Sequence, residues 1–235
     1  MIYVTGDKHG DQEYWEDHIA PFLKSGDTIV IAGDFGIGFF DGRDLSEELF
    51  FDNLAAQDYT ILFCDGNHEN FEKLGRYEIS EWGGGKVQFI RPNVIHLMRG
   101  EIYTIDDKKI FVMGGANSAD KHLRVASKSW WPQEMPSDEE YRNASKNLKN
   151  AGYIVDYILT HTAPENTVRY MSHMEKGTDY EMADELPLLG FLQWVEDTVK
   201  YDKWYFGHFH LDEELWKNQY VLFEGVRELF TGEAV

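Results

Sequence analysis

The chain has 235 residues, of which 43% are hydrophobic and 15% aromatic, enough apolar material for a packed core and too much for a disordered chain. Acidic residues number 42 against 22 basic, a formal net charge of −20 that repels long nucleic acids and anionic lipid. A single cysteine, Cys64, excludes an internal disulfide and a thiolate zinc site, so any metal must be held by His, carboxylate or amide groups.

The opening MIYVTGDKHG lacks the basic start and apolar middle of a signal peptide, and no apolar run approaches the roughly 20 residues of a membrane span. A soluble cytoplasmic protein with one domain over residues 1–235 is the expectation. Ile2-Tyr3-Val4 reads as a buried strand ending in Gly6-Asp7. Trp15, Ile19, Phe22 and Leu23 then follow helical spacing, with Asp11 placed to cap and Gly26 to stop. A second strand, Thr28 to Ala32, ends in Gly33-Asp34, and Leu45, Leu49 and Leu54 predict a second helix. The third strand, Thr60 to Cys64, runs into Asp65-Gly66-Asn67-His68. Strand–helix–strand order implies a parallel sheet, whose ligand sites lie beyond the carboxyl ends of the strands.

The middle reads differently. Trp82-Gly83-Gly84-Gly85 reads as a loop, and Val87 to Met98 and Glu101 to Met113 read as strands, the latter pair turned at Asp106-Asp107, so that a hairpin or meander interrupts the alternation. Residues 116–136 form a polar and aromatic insertion, followed by a capping-box pattern at Ser137 and Glu140 and a helix carrying Tyr141, Ala144 and Leu148. Ile154 to Leu159 leads into His161. A helix over about 184–200 places Leu188, Leu192, Val195 and Val199 inward, and Trp204 to Phe206 leads into Gly207-His208. Tyr220 to Phe223 and Leu229-Phe230 read as closing strands.

Five strand ends thus carry a dense set of hard-metal ligands: Asp7-Lys8-His9, Gly33-Asp34, Gly66-Asn67-His68-Glu69, His161 and Gly207-His208-Phe209-His210. Asp7 and His9, like His208 and His210, stand two apart, so on extended backbone each pair points to one side and can converge on one ion. The glycines before Asp7, Asp34, Asn67 and His208 permit sharp exits and close approach of backbone to a ligand. Asp34 is a carboxylate able to bridge two cations, and Asn67 offers a neutral amide oxygen.

In this order the blocks D-x-H, GD, GNH[DE], a lone His and GHxH resemble the pattern of the calcineurin-like metallophosphoesterases, from Asp7 to His210. The resemblance implies a four-layer α/β/β/α sandwich with mixed sheets and a metal site at the carboxyl ends of the strands. It implies two divalent ions (Mn, Fe, Zn, Ni or Co, with Mn favoured), one held by Asp7, His9, Asp34 and His210. Asp34 bridges to the second, held with Asn67, His161 and His208. It further implies in-line attack of a metal-bridging hydroxide on phosphorus, with His68 stabilising the transition state or protonating the leaving oxygen. Phe35-Gly36-Ile37 stands where the family's protein Ser/Thr phosphatases carry a further Asp and Arg, which speaks against a protein phosphatase. It leaves Asp65 or Glu69 as the local carboxylate partners for His68.

Other residues have simpler readings. Lys8 in the middle of D-x-H is expected to point away from the metals by strand alternation. His18, His96, His122 and His173 read as structural, the last two with the alternative of lining the cleft, and Cys64 reads as a core residue. On the insertion, Arg124 and Trp130 either form a substrate rim near the metals or belong to a loop pinned by paired tryptophans. The expected partner is a small phosphorylated substrate, a phosphomonoester or phosphodiester, with long nucleic acid and membrane disfavoured. A nucleotide phosphodiesterase or nuclease acting on short ends is the alternative. A non-catalytic scaffold of the same fold, as in the retromer subunit, should have eroded ligands, and none is missing here.

Overall fold

The computed structural model describes residues 1–38, 44–174 and 182–235. Strand β1 (Ile2–Thr5) opens the chain. The Asp11 carboxylate then accepts from Tyr14 N at 2.9 Å and starts α1 (Gln12–Tyr14), which widens into a π turn over Trp15–Ile19 and tightens into a 3-10 turn over Ala20–Phe22. The regular α-helix read from the sequence is therefore broken up, because Pro21 brings no N–H to an α ladder. The buried positions Trp15 and Ile19 are nevertheless those predicted.

Strand β2 (Thr28–Ile31) pairs parallel with β1 and leads to α2 (Asp44–Ala55). Here the sequence reading holds at Leu54 and fails at the other two positions: Leu45 and Leu49 are 76% and 56% exposed, while Phe50 and Phe51 are buried beside Leu54. Two adjacent aromatic rings remove more apolar area from water than two leucines, so they decide the helix rotation. Strand β3 (Thr60–Phe63) continues the parallel set and is followed by the short α3 (Phe71–Leu74).

The stretch from Val87 to Met98 holds two strands, and the interruption of the alternation is a meander. Chain segments β4 (Ile79–Trp82), β5 (Gly85–Arg91) and β6 (Val94–Leu97) form an antiparallel meander, whose last strand lies parallel to β3. Pro92 supplies no N–H to the ladder, and the Asn93 amide donates to the carbonyls of Leu54 and Tyr59, both at 2.9 Å, pinning the turn. The glycines read as a plain loop at 83–84 are the hairpin turn between β4 and β5. β7 (Ile102–Ile105) and β8 (Lys108–Met113) form the predicted hairpin, with both turn residues, Asp106 and Asp107, at positive φ.

Helix α4 (Asp138–Asn150) begins at the predicted reciprocal cap, Ser137 with Glu140, and buries Ala144 and Leu148. Then come β9 (Tyr157–Thr160), α5 (Glu165–Met174), α6 (Leu186–Thr198) and β10 (Lys203–Phe206). Leu188, Leu192, Val195 and Val199 are buried as expected. β11 (Glu213–Glu214), β12 (Gln219–Val221) and β13 (Val226–Glu228) close the chain, and β13 returns antiparallel to β1.

Two mixed sheets result, in the orders β13-β1-β2-β3-β6-β5-β4 and β11-β12-β10-β9-β8-β7. Side chains alternate across each strand. Val4, Val30 and Leu62 face Val112, Leu159 and Tyr205 in the layer between the sheets. Tyr3, Ile29, Ile31, Ile61 and Phe63 meet Trp15, Ile19 and the α2 aromatics on the far side. Helices α4, α5 and α6 cover the outer face of the second sheet. The architecture is the four-layer α/β/β/α sandwich.

Candidate metal centre

The loops after β1, β2, β3, β9 and β10 are bonded to one another, so the site is built from backbone before any side chain is considered. Lys8 N and His9 N both donate to Asp34 O, at 2.9 and 2.8 Å, and Gly10 N donates to Phe35 O at 2.8 Å. Gly207 N donates to His161 O at 3.0 Å, and His208 N to the Asp7 carboxylate at 3.0 Å. The Glu69 carboxylate accepts from Phe35, Gly36 and Ile37 N at 2.9, 3.0 and 2.6 Å. Complete burial, with Asp34 nearby, pushes Glu69 well above the usual carboxylate range. Close approach is real at all four glycines before Asp7, Asp34, Asn67 and His208, and two of them press on the site's carboxylates: a Cβ on Gly66 would collide with Asp34 Oδ1, and one on Gly207 would press on Asp7 Oδ2.

His9, Asp34, His208 and His210 have φ of 49°, 51°, 70° and 51°. The extended i, i+2 geometry expected for Asp7/His9 and His208/His210 is therefore absent, and the left-handed backbone turns the side chains into the site instead. Such conformations cost on the order of 1–3 kcal/mol each and survive where surrounding bonds over-determine them.

Three groups of side chains each offer ligand atoms within 4.8 Å of one another: Asp7 with His9 and His210, His9 with Asp34 and His68, and Asp7 with Asp34 and His161. His9 Nε2 lies 3.1 Å from His210 Nε2, and His9 Nδ1 lies 3.2 Å from His68 Nδ1. His161 Nδ1 must donate to Ala32 O at 2.8 Å, so Nε2 is the nitrogen that faces Asp34 Oδ1 at 3.3 Å and Asn67 Oδ1 at 3.1 Å. Burial opposes charge at every member. It pushes Asp7 up to about 7, helped by Asp34 and resisted by His161, and pulls His9 down to about 4 despite Asp34. His161 and Asp34 are the exceptions: burial lowers His161, but Asp34 and Asp7 outweigh that and raise it to about 10, and burial raises Asp34, but His161 and the neighbouring histidines hold it well below the usual carboxylate range. Imidazole nitrogens facing each other around two buried carboxylates are the donor set of divalent metal ions, and the residues present fit such ions.

A family model described as calcineurin-like phosphoesterase matches residues 1–212 of the 235. The chain belongs to this family. No curated protein matches it. The family supports a metal-dependent phosphoester hydrolase, and among the described residues no helix is long and apolar enough to cross a membrane.

Within this phosphoesterase the remaining sequence-predicted residues fall as follows. The His208 ring packs edge-on against His161, with centroids 5.0 Å apart, outside the three groups above. Asn67 donates through Nδ2 to Ser118 Oγ at 3.1 Å, so its carbonyl oxygen turns toward His161. Neither local carboxylate expected to partner His68 does so. Asp65 pairs with Arg99 and with His96 Nε2 at 3.0 Å, and Glu69 is committed to backbone amides. His68 instead approaches Asp34 Oδ2, 4.0 Å from its Nδ1, and accepts at Nε2 from Arg124 Nη2 at 2.9 Å. Burial lowers the His68 pKa, and Arg124 lowers it further against the pull of Asp34.

The insertion does bring Arg124 to the site. Asp120 Oδ1 holds its Nε at 2.7 Å, and Ser129 O accepts from Nη1 at 3.3 Å. Trp130 carries the Lys121 ammonium 6.0 Å from its ring centre, while Trp131 is the buried anchor of the segment. Lys8 is buried too, and its Nζ donates to Phe223 O at 2.6 Å. Burial pulls that ammonium down to about 8 against the attraction of Asp7, Asp212 and Glu224. His173 donates to Arg169 O on its own helix.

Sequence reasoning missed the brace behind the site. Arg99 donates to Asp65 and to the carbonyls of Gln133 and Glu134, and the Glu134 carboxylate accepts from Ser118 N at 3.2 Å. That chain of bonds joins the Asn67 loop to both ends of the insertion. Its only sequence signal is a lone Arg and a lone Asp, each just beyond an apolar strand.

Proposed function

We propose that this phosphoesterase is a dinuclear enzyme that hydrolyses a small phosphomonoester or phosphodiester. The observation that supports this is that the Asp34 carboxylate belongs to two of the three ligand groups, as a carboxylate shared between two adjacent ions would. Asp7, His9, Asp34 and His210 would hold one ion, and Asp34, Asn67, His161 and His208 the other. Bound there, two divalent ions, manganese favoured, supply Lewis acidity to phosphoryl oxygens and lower the pKa of a water molecule. The protein's own groups do the rest. Ala32 O fixes the His161 tautomer, and Ser118 turns the Asn67 oxygen inward. His68 Nε2 and the Arg124 guanidinium converge on one point, where one assists the leaving oxygen and the other neutralises phosphoryl charge. Trp130 offers an aromatic face on the same insertion.

The purified protein is expected to hydrolyse p-nitrophenyl phosphate or its bis-ester with Mn²⁺ and to lose the activity in excess chelator. Failure on both esters and on a wider phosphoester panel would remove the reading. The charge of −20 disfavours long polyanions, so cleavage of an oligonucleotide with a steep salt dependence would favour the nuclease alternative instead. Arg124→Gln should lower kcat/KM by roughly 10- to 100-fold, the value of a charge-assisted hydrogen bond, with metal content unchanged. Unchanged kinetics would place Arg124 outside substrate binding.

A further inference from the structure

Resting on the metal-site reading, we propose that Lys8 is a positioning residue: with Phe223 it forms a strut that holds the left-handed His210 against the Asp7/His9 side of the centre. Phe223–Gly225 lie beyond residues 1–212, the stretch the family model matches.

The Lys8 side chain leaves the D-x-H turn, passes its ammonium 4.9 Å from the Tyr14 ring centre and ends on Phe223 O. The Phe223 ring lies under His210, stacked at 4.4 Å with 16° between the planes. Asp212, two residues after His210, accepts from Phe223, Glu224 and Gly225 N at 2.9, 3.1 and 3.0 Å. Thr5 Oγ1 donates to Gly225 O at 2.9 Å and Tyr14 Oη to Glu224 O at 3.2 Å, so both flanks of the first ligand turn grip the same loop.

Physical chemistry makes this arrangement purposeful. Burying an ammonium costs several kcal/mol unless it is partnered, and an apolar residue of similar length would fill the space without that cost. The ammonium is the group that spans the gap between the two ligand turns. His210 also needs support, because it is exposed and sits at φ 51°. A stacked ring underneath restricts its imidazole to the orientation in which Nε2 meets His9 Nε2, as outer partners of metal ligands do elsewhere.

The test is a Mn²⁺ titration by calorimetry of the chelator-stripped full chain, comparing wild type with Lys8→Met, Phe223→Leu and Phe223→Tyr. Lys8→Met and Phe223→Leu should weaken one of two bound ions by about 10- to 100-fold and leave the other within a few fold, while Phe223→Tyr keeps the stack and behaves as wild type. The sign is informative. Removing a cation beside Asp7 would by itself tighten Mn²⁺ binding, so a loss in Lys8→Met cannot be simple electrostatics. Wild-type affinity for both ions in Lys8→Met overturns the strut, as does an equal loss at both sites accompanied by a lower melting temperature of the stripped protein. Should Lys8→Met not fold, the Phe223→Leu and Phe223→Tyr pair decides. A wild-type titration that stops short of two ions removes the dinuclear reading instead, and the strut is then judged on the single ion.

Discussion

His68→Ala is expected to retain its metal and lose turnover by about 10²–10⁴-fold, the usual worth of a positioned acid–base group. His68 follows the Asn67 whose oxygen faces His161, and its backbone N donates to Asp34 Oδ1 at 2.7 Å. That bond survives truncation to alanine, so the backbone of the loop keeps its place. What is lost is Nε2, the one ring atom that meets the Arg124 guanidinium on the substrate side. The measurement is kcat beside metal content on the same sample. Unchanged turnover removes His68 from the mechanism. A parallel loss of metal would reassign it as a ligand, a role its Nδ1 position 3.2 Å from His9 Nδ1 makes a serious competitor.

The second large effect is on stability. Arg99→Met should destabilise the chelated protein by about 3–5 kcal/mol, because breaking a buried pair leaves an uncompensated charge. Arg99 and Asp65 are 6% and 1% exposed, and Asp65 would keep only His96 as a partner. The carbonyls of Gln133 and Glu134 would lose their donor as well. Urea unfolding at neutral pH measures the effect, and a loss below about 1 kcal/mol would sink the claim. The pH dependence has a definite sign. Burial raises Asp65, but Arg99 and His96 outweigh it and hold the group down at about 2, below its usual 3.8. A depressed carboxylate stabilises the fold above the unfolded value, and that part, roughly 2 kcal/mol, is lost as pH falls through the folded one. The gap between wild type and Arg99→Met should therefore narrow between about pH 4 and 2.

These two residues mark how unevenly the molecule could be read in advance. His68 was legible because its neighbours form a contiguous block, Gly66 to Glu69, whose chemistry is local. Arg99 was not, because β3 and β6 become neighbours only after the meander folds back. Local rules carried other elements correctly. The Ser137/Glu140 cap, the inward face of α6 and the Asp106-Asp107 turn each depend on residues a few positions apart. They failed at α2, where aromatic area in a distant core set the rotation.

The same division runs through the site. The candidate ligands, their order along the chain and their place after apolar strands were all present in the sequence, because strand ends and ligand chemistry are properties of short segments. So was the prospect that a charge of −20 is compatible with phosphate chemistry when cations are held in a cleft. How those ligands converge was not. The i, i+2 argument does not describe the geometry, since His9, His208 and His210 reach the site through left-handed backbone rather than an extended strand, and His208 lies outside the ligand groups that hold Asp7, His9 and His210. The destinations of Lys8, Glu69 and Arg124 depended on loops 32 to 215 residues away. Buried polar groups take whichever partner the assembled layers bring within about 3 Å, and no spacing along the chain encodes that meeting.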